Sequence, residues 1–249
     1  MAQKIKVGAV SYLNTKPLIY GFEQGMMKNE IDLVFDYPAN IARGLQNKQI
    51  DIGLVPVVVI PSLPQHFIIS DYCIGSEGEV ASVCLFSDVP INEITTVLLD
   101  YQSNTSVALL KILMRSHWHI SPVEVAASEN YEKDIKGTIA GLVIGDRALE
   151  QRTRSKYIYD LGLAWTAMTG LPFVFAAWVS NKSIDDAFKL GFNAANAYGL
   201  QHLPDVIKNI QHDLFDLEAY YTRYISYQWD AQKEAGMKLF FKYISDINV

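Results

Sequence analysis

Small polar side chains gather at two points of the sequence where a strand-like run gives way to a helix-like one. The stretch SYLNTKP at residues 11–17 follows an apolar run that contains Val7 and Val10. The stretch SNTS at residues 103–106 follows TTVLLD. Hydroxyls, amides and the free N–H groups of a helix N-terminus are donors that bind anions. Each stretch alone is more typical of a helix cap, but the presence of two favours an anion-binding site.

Three further positions have side chains that suit a site. Ser82 interrupts an apolar strand pattern and is either a hydroxyl bonded to the backbone or a ligand contact. Gly145 closes another apolar strand, where the missing side chain lets a ligand approach the backbone. Asp146 follows it and is the predicted N-cap of the next helix.

The sequence lacks the common signatures of nucleotide, metal, redox and hydrolase sites. There is no Walker A motif, no G-x-G-x-x-G, no H-E-x-x-H, no C-x-x-C and no G-x-S-x-G. The five histidines are scattered, and the pair His117 and His119 is more typical of surface residues than of a metal site. We therefore expect neither a cofactor nor a metal.

Charge and composition exclude several classes of protein. The formal net charge of −6, without any run of Lys or Arg, argues against nucleic acid but allows a locally positive pocket for a small anion. Two cysteines, Cys73 and Cys84, lack metal-like spacing and fit a reduced compartment. No signal-peptide pattern and no apolar stretch of about 20 residues is present, so we expect a cytoplasmic protein without membrane contact.

Apolar runs of strand length alternate with helical periodicity through the first two thirds of the chain. Residues 4–60 are predicted as strand, helix, strand, helix, strand, the last strand being DIGLVPVVVI. A similar series occupies residues 81–179 and ends on the strand GLPFVFAAWV, and a helical tail is predicted from Ser183 onward. The pattern predicts an α/β fold with two lobes and a ligand cleft between them. Periodicity leaves open whether the chain crosses between the lobes once or twice.

Five segments, taken together and in order, resemble the MqnA family of menaquinone biosynthesis. They are VGAVSYLNTKPL, EVASVCLFS, SNTSVALLKILM, AGLVIGDRAL and DLGLAWTAMTGLPFVFAAWV. The sister family MqnD has a different polar segment in place of SYLN. The resemblance implies a type II periplasmic-binding-protein-like fold with two crossovers. The first lobe would then comprise residues 1–84 and 176–249, and the second lobe residues 85–175.

The resemblance also implies an activity and a set of site residues. The activity is chorismate dehydratase, which eliminates water from chorismate to give 3-[(1-carboxyvinyl)oxy]benzoate in the futalosine pathway, without cofactor or metal. Asn14 and Ser82 match the family's active-site residues. The matching substrate-binding segments contain Ser11, Ser103, Asn104, Thr105, Ser106, Gly145 and Asp146.

The substrate's two carboxylates are not fully accounted for by these residues. Asn104 stands where the family often carries a basic residue, so a carboxylate is held either by helix N–H groups and hydroxyls or by a cation elsewhere. Lys16 and Arg43 are the candidates for that cation.

Two alternatives to a chorismate dehydratase stay open at this point. One is a small-anion solute-binding protein of the same fold, and the other is an MqnD-like 1,4-dihydroxy-6-naphthoate synthase. The partner expected for the dehydratase is a small-molecule dicarboxylate, chorismate, with no nucleic acid and no membrane, and the protein itself is expected to be a monomer or homodimer.

Overall fold

Eleven strands in two sheets form the framework of the computed structural model, which describes residues 4–210 and 215–247. In chain order the strands are β1 (Ile5–Ala9), β2 (Ile31–Phe35), β3 (Ile52–Pro56), β4 (Phe67–Ser76), β5 (Val83–Ser87), β6 (Thr96–Leu99), β7 (Val123–Ala126), β8 (Ile139–Ile144), β9 (Tyr157–Asp160), β10 (Phe173–Ser180) and β11 (Ser226–Gln228).

The first sheet has six strands in the order β11-β4-β10-β3-β1-β2. Strands β1, β2 and β3 are parallel, whereas β10 runs antiparallel to both β3 and β4. The second sheet has five strands in the order β7-β6-β8-β5-β9. Strand β6 is parallel to β7 and β8, whereas β5 is antiparallel to β8 and β9. We call each sheet, with the helices packed on it, the first and the second lobe.

Nine α-helices connect and cover these strands within the described residues. They are α1 (Lys16–Glu23), α2 (Pro38–Gln46), α3 (Asn104–Ser116), α4 (Asp146–Gln151), α5 (Leu161–Thr169), α6 (Asp186–Gln201), α7 (Leu203–Lys208), α8 (Leu217–Ala219) and α9 (Ala231–Ile247). Helix α8 continues as a π-helix over Tyr220–Tyr224. Short 3-10 turns occupy Leu13–Thr15, Val57–Ser62, Ile91–Glu93 and Tyr131–Asp134. No helix in these two described stretches is long and apolar enough to cross a bilayer.

Two crossings join the lobes. The chain leaves the first sheet after β4, returns to it through β10, and forms the whole second sheet in between. The antiparallel insertion of β10 beside β3 buries Trp178 and Phe173, as expected of an almost entirely apolar strand flanked on both sides. The fold is therefore the two-lobed α/β arrangement expected from the sequence, whereas the residue limits predicted for each lobe stay a prediction.

Packing within the first lobe depends on close contact between α1 and α6. A Cβ atom built on Gly21 would lie 2.2 Å from the carbonyl oxygen of Ala195, and one on Gly199 would lie 1.8 Å from that of Pro17. Glycine at both positions lets the two helix backbones touch. An aromatic group of Trp165, Phe173 and Phe240 joins α5 to β10 and α9 by edge-to-face contacts.

Several elements differ from those predicted from the pattern. The strand predicted over residues 51–60 ends at Pro56, and the valine run after it forms the turn Val57–Ser62, because Pro56 and Pro61 provide no N–H groups for further ladder bonds. Strand β4 was not predicted. The tail is not wholly helical, since β11 pairs with β4, and the predicted helix over residues 203–214 runs into residues 211–214, which lie outside the described residues.

Candidate active site

A cleft opens between the two lobes. The first lobe contributes Val10, Tyr12, Asn14, Leu54 and Ile74 to its wall, among others. The second lobe contributes Gln102, Ser103, Ser106, Ile144 and Gly145, and Ser82 reaches it from the segment that joins the lobes. Of the nine predicted site residues, the structure places five along this one cleft: Asn14, Ser82, Ser103, Ser106 and Gly145.

The turn that carries Asn14 is held through its backbone carbonyls. It follows β1 and forms a single 3-10 turn over Leu13–Thr15. The Tyr221 hydroxyl donates a hydrogen bond to the carbonyl oxygen of Leu13 at 3.0 Å. The Tyr227 hydroxyl donates to the carbonyl oxygen of Asn14 at 2.9 Å. Both tyrosines come from the C-terminal segment, so the Asn14 turn is positioned by residues more than 200 positions away.

Ser82 lies in a tight turn immediately before β5 and not within the strand, which corrects the strand assignment from the sequence. Its N–H group donates to the carbonyl oxygen of Val80 at 2.7 Å, which closes a three-residue turn around Ala81. Ala81 has a φ of 61°, a left-handed conformation that is unfavourable for a residue with a Cβ atom. Such strain persists only where the surroundings enforce it.

Asp160 and Arg152 enforce this turn from both sides. The buried carboxylate of Asp160 accepts hydrogen bonds from the N–H groups of Val80 at 3.1 Å and Ala81 at 2.8 Å. Arg152 donates to the carbonyl oxygen of Ala81 at 3.2 Å. Burial raises the pKa of Asp160, although the N–H groups that it accepts from offset part of this effect. The strained turn and the placement of Ser82 therefore depend on one buried carboxylate.

The Ser82 side chain is buried and hydrogen-bonded. Its Oγ accepts a hydrogen bond from the Tyr220 hydroxyl at 2.8 Å. Its backbone carbonyl accepts from the Gly145 N–H group at 2.7 Å. Ser82 is thus tied to the C-terminal segment by its side chain and to the second lobe by its backbone.

The start of α3 forms the second predicted polar cluster. Ser103 is the N-cap and accepts a hydrogen bond from the Ser106 N–H group at 3.2 Å, and the two hydroxyl oxygens lie 2.8 Å apart. Both side chains line the cleft. Asn104 is exposed and Thr105 is buried, where its Oγ1 accepts from the Val58 N–H group at 3.3 Å. Neither Asn104 nor Thr105 is among the cleft-lining residues.

The remaining two predicted residues lie beside the cleft. Ser11 is exposed and lines a shallow groove next to Tyr37. Asp146 is the first residue of α4 and not its N-cap, so that prediction was wrong. Gly145 takes the cap position because its φ of 63° suits glycine. The Asp146 carboxylate instead reaches the first lobe, where it accepts from the Leu13 N–H group at 3.4 Å.

Neither predicted cation lies at the cleft wall. Arg43 is exposed on α2, and Lys16 is not among the lining residues. In the described parts of the chain, no Lys, Arg, His, Asp or Glu side chain lines this cleft. Tyr12 is the lining residue with an ionisable group, and burial, followed by the negative charge of Asp100, raises the pKa of Tyr12.

Sequence reasoning missed Arg147, a cation that is hydrogen-bonded to Gln102 in the cleft wall. Its guanidinium pairs with Asp100 at 2.5 Å and with Glu132 at 2.7 Å, and it donates to Gln102 Oε1 at 3.2 Å. Gln102 lines the cleft, and its Oε1 lies 3.4 Å from the Tyr12 hydroxyl of the first lobe. The sequence GDRAL contains Arg147 directly after two predicted site residues, and that adjacency was the available signal.

The histidines and acidic residues of the described chain are dispersed. Across residues 4–210 and 215–247, no group of three or more His, Cys, Asp and Glu residues is arranged to hold a metal ion. His119 lies on the surface, where its Nδ1 is 3.1 Å from the carbonyl oxygen of Arg115.

The sequence matches the model of a family described as menaquinone biosynthesis over residues 5–246. The chain belongs to this family. The resemblance seen in the five segments is thereby confirmed. A curated relative, the chorismate dehydratase of Thermus thermophilus, is 28% identical over 165 residues. The alignment spans 57% of this chain and 58% of that relative, which is less than two thirds of the relative's length.

Solved structures with similar folds confirm the periplasmic-binding-protein architecture. A protein from Archaeoglobus fulgidus superposes with a TM-score of 0.71 at 14% identity, covering 98% of both chains. A Candida albicans protein described as having the generic periplasmic binding protein fold gives 0.63 at 12% identity, over 98% of this chain and 95% of that one. The periplasmic aliphatic sulphonate binding protein of Escherichia coli gives 0.65 at 12% identity, over 100% and 88%. At these identities the likeness concerns the fold alone.

Proposed function

We propose that the chain is a chorismate dehydratase that converts chorismate to 3-[(1-carboxyvinyl)oxy]benzoate and water. Family membership and the named relative support this assignment. The observation that carries it is the meeting of Asn14 and Ser82 in one cleft, although they lie on different segments of the chain. The proposed site of action is the cytoplasm, with the protein as a monomer or homodimer.

The chemistry suits a cleft without an ionised base in its wall. Loss of the C3 proton and the C4 hydroxyl makes the ring aromatic, so the reaction is favourable and only the barrier must be lowered. Because no carboxylate, imidazole or amine of the described residues lines the cleft, we assign the proton to a carboxylate of the substrate's own enolpyruvyl arm. Holding that carboxylate over C3 is an effect of orientation, which contributes up to about 7–11 kcal/mol when the geometry is good.

Ser82 and Asn14 have different roles in this step. Ser82 donates its hydroxyl proton as a hydrogen bond to the departing C4 hydroxyl, which stabilises the negative charge that develops as the C–O bond breaks. Asn14 orients the substrate through its amide. The enolpyruvyl carboxylate then passes the C3 proton to the departing hydroxyl, which leaves as water, so no external reactant is required.

The start of α3 is proposed to hold a substrate carboxylate. The helix has 13 residues, and Ser103 and Ser106 present hydroxyls to the cleft at its N-terminus. A helix N-terminus carries partial positive charge. This arrangement replaces a direct cation in the wall. Asn104, Thr105, Ser11 and Asp146 stay predicted substrate-binding residues.

Turnover of chorismate is the direct test. Purified protein is incubated with chorismate, and the aromatic product is followed by ultraviolet absorbance and mass spectrometry. Ser82→Ala and Asn14→Ala should each lower kcat/KM by about 100-fold, the cost of removing one preorganised donor. Ser87→Ala is the matched control, because Ser87 is a buried serine of β5 that does not line the cleft. Unchanged kcat/KM in both site variants would refute their roles.

A second candidate is a solute-binding protein for a small anion. The likeness of the fold to the aliphatic sulphonate binding protein favours it. Calorimetry with chorismate in the same buffer separates the two functions. Tight binding without any product over hours would favour the binding protein, and product formation would exclude it as the main function.

A further inference from the structure

Two adjacent tyrosines at the start of the π-helix, Tyr220 and Tyr221, contact both halves of the proposed catalytic pair. Tyr220 bonds to Ser82, and Tyr221 bonds to the turn that carries Asn14. Both side chains are almost completely buried, and their ring centroids lie 5.5 Å apart. One short segment of backbone therefore holds the two sides of the cleft at once.

The π-helical turn is suited to this double contact. The Ile225 N–H group donates to the carbonyl oxygen of Tyr220 at 3.0 Å, the i to i+5 bond that defines the π-helix. This wider turn is rare and occurs often at functional sites. Here it places two consecutive side chains in the interior, although they bond to different segments of the chain.

The direction of the Tyr220 bond decides where the Ser82 proton can go. Tyr220 donates to Ser82 Oγ at 2.8 Å, so the Ser82 hydroxyl hydrogen points elsewhere. Its acceptor among the described protein atoms is the carbonyl oxygen of Val80 at 3.4 Å, which is a long contact for two oxygens. The cleft beside Ser82 offers a better place for an acceptor on a ligand. A hydroxyl that accepts a hydrogen bond, as Ser82 does from Tyr220, also becomes a stronger hydrogen-bond donor.

We propose that Tyr220 is a positioning residue that orients the Ser82 hydroxyl so that its proton is donated into the cleft. The role rests on the proposed function, in which Ser82 donates to the departing hydroxyl. Tyr220 touches Ser82 and does not line the cleft itself. The effect of its hydroxyl on the cleft therefore passes through Ser82.

Tyr220 also remains a donor at every working pH. Burial raises the pKa of Tyr220 far above its ordinary value of about 10, while its bond to Ser82 acts in the opposite direction. The phenol is therefore neutral and keeps its proton. The donated bond persists throughout the range in which the protein is folded.

A double-mutant cycle tests the proposal. Tyr220→Phe removes one hydroxyl and conserves the buried ring, and kcat for chorismate should fall about tenfold, with KM changed by less than about twofold. In the Ser82→Ala background the same change should have no further effect, because the hydroxyl that Tyr220 orients is gone. Tyr243→Phe is the control, since Tyr243 belongs to the same C-terminal segment, packs on Trp165 and does not line the cleft. Equal losses in both backgrounds, or no loss in either, would overturn the proposal.

A crystal structure of the Tyr220→Phe variant separates failure of this proposal from failure of the proposed function. If wild-type protein does not turn over chorismate, the dehydratase function is refuted, whatever the role of Tyr220. The crystal structure of the variant shows the position of Ser82 independently of activity, and the Ser82 Oγ should rotate or adopt two conformers once the Tyr220 hydroxyl is removed. A single, unchanged Ser82 rotamer would show that Tyr220 does not orient it. Circular dichroism of the variant confirms that the fold is retained.

Discussion

Replacement of Asp160 by alanine tests the origin of the strained turn before Ser82. The carboxylate accepts three backbone N–H bonds, from Val80 at 3.1 Å, from Ala81 at 2.8 Å and from Leu163 at 3.1 Å. Asp160→Ala removes the acceptor for all three, and two of these groups lie in the turn around Ala81. We expect a loss of stability and a displaced Ser82 together.

The size of the loss follows from the donors left without an acceptor. The N–H groups of Val80 and Ala81 are buried, and a buried group left without a partner costs about 1–3 kcal/mol, which gives roughly 2–6 kcal/mol for the two. Leu163 is half exposed, so its N–H group adds only the loss of a helix N-cap, about 1 kcal/mol. Burial raises the pKa of Asp160, so the cost of burying the carboxylate offsets part of this sum, and we expect about 3–4 kcal/mol. For a chain of this size that lowers the Tm by roughly 10 °C.

Urea unfolding at pH 7, followed by tryptophan fluorescence, measures the change. Asp185→Ala is the matched control, because Asp185 is an exposed N-cap that accepts one bond, from the Phe188 N–H group at 2.9 Å. It should lose only about 1 kcal/mol. A loss below about 1 kcal/mol for Asp160→Ala, or unchanged kcat/KM for chorismate, would refute the role of this carboxylate in building the turn.

The pH dependence of the same variant has a definite sign. The pKa of Asp160 is raised on folding, so the folded protein binds this proton more tightly than the unfolded chain. Its contribution to stability therefore falls as the pH rises from its ordinary value of about 3.9 through the raised pKa. The stability difference between wild type and Asp160→Ala should be larger at pH 4 than at pH 7, and the reverse order would contradict the direction of the shift.

Three further outcomes follow from other parts of the fold. Gly199→Ala places a methyl group against a backbone carbonyl of α1 and should lower the free energy of unfolding, measured in urea, by about 1–3 kcal/mol. An unchanged free energy of unfolding would show that α1 and α6 can move apart without cost. Cys73 is buried and its pKa is raised to about 12, so Ellman's reagent should label the protein only after unfolding. Hydrogen bonds from Ser226 and from the buried Lys233 lower the pKa of Glu77. The stability that these bonds contribute is therefore present above about pH 4.3, the ordinary pKa of a glutamate, and is lost as the pH falls through the lowered pKa. Lys233→Met should therefore make the loss of stability between pH 6 and pH 3 shallower, and an unchanged slope in urea unfolding would contradict this.

Much of the secondary structure could be predicted because it depends on local pattern. Helix α3 begins at Asn104 with Ser103 as its N-cap, where a polar run follows a strand. The strand predicted at GLPFVFAAWV returns to the first sheet as β10. The tail contains the predicted helices but also β11, a strand of three residues whose pairing with β4 no local pattern shows. Short edge strands depend on a neighbour already being in place.

The residue types of the proposed site were predictable from the sequence, but the hydrogen bonds that position them were not. Asn14 and Ser82 were identified by resemblance, and the structure places them along one cleft. The partner of Ser82, Tyr220, lies 138 positions away in a segment predicted only as helix. Asp146 was predicted as a cap because its type suits one, whereas the positive φ of Gly145 moved the cap by one residue.

The sequence by itself determined many of the strands and helices, where small polar groups end the strands, and which family the chain resembles. Only the tertiary structure decided which of those groups meet. The turn at Ala81 is unfavourable for its own residues and exists because Asp160, nearly 80 positions later, accepts its N–H groups in a buried place. Hydrogen bonds between distant segments depend on how the two crossings bring the lobes together. Local propensity depends only on residues that are close in sequence, so it does not predict that arrangement.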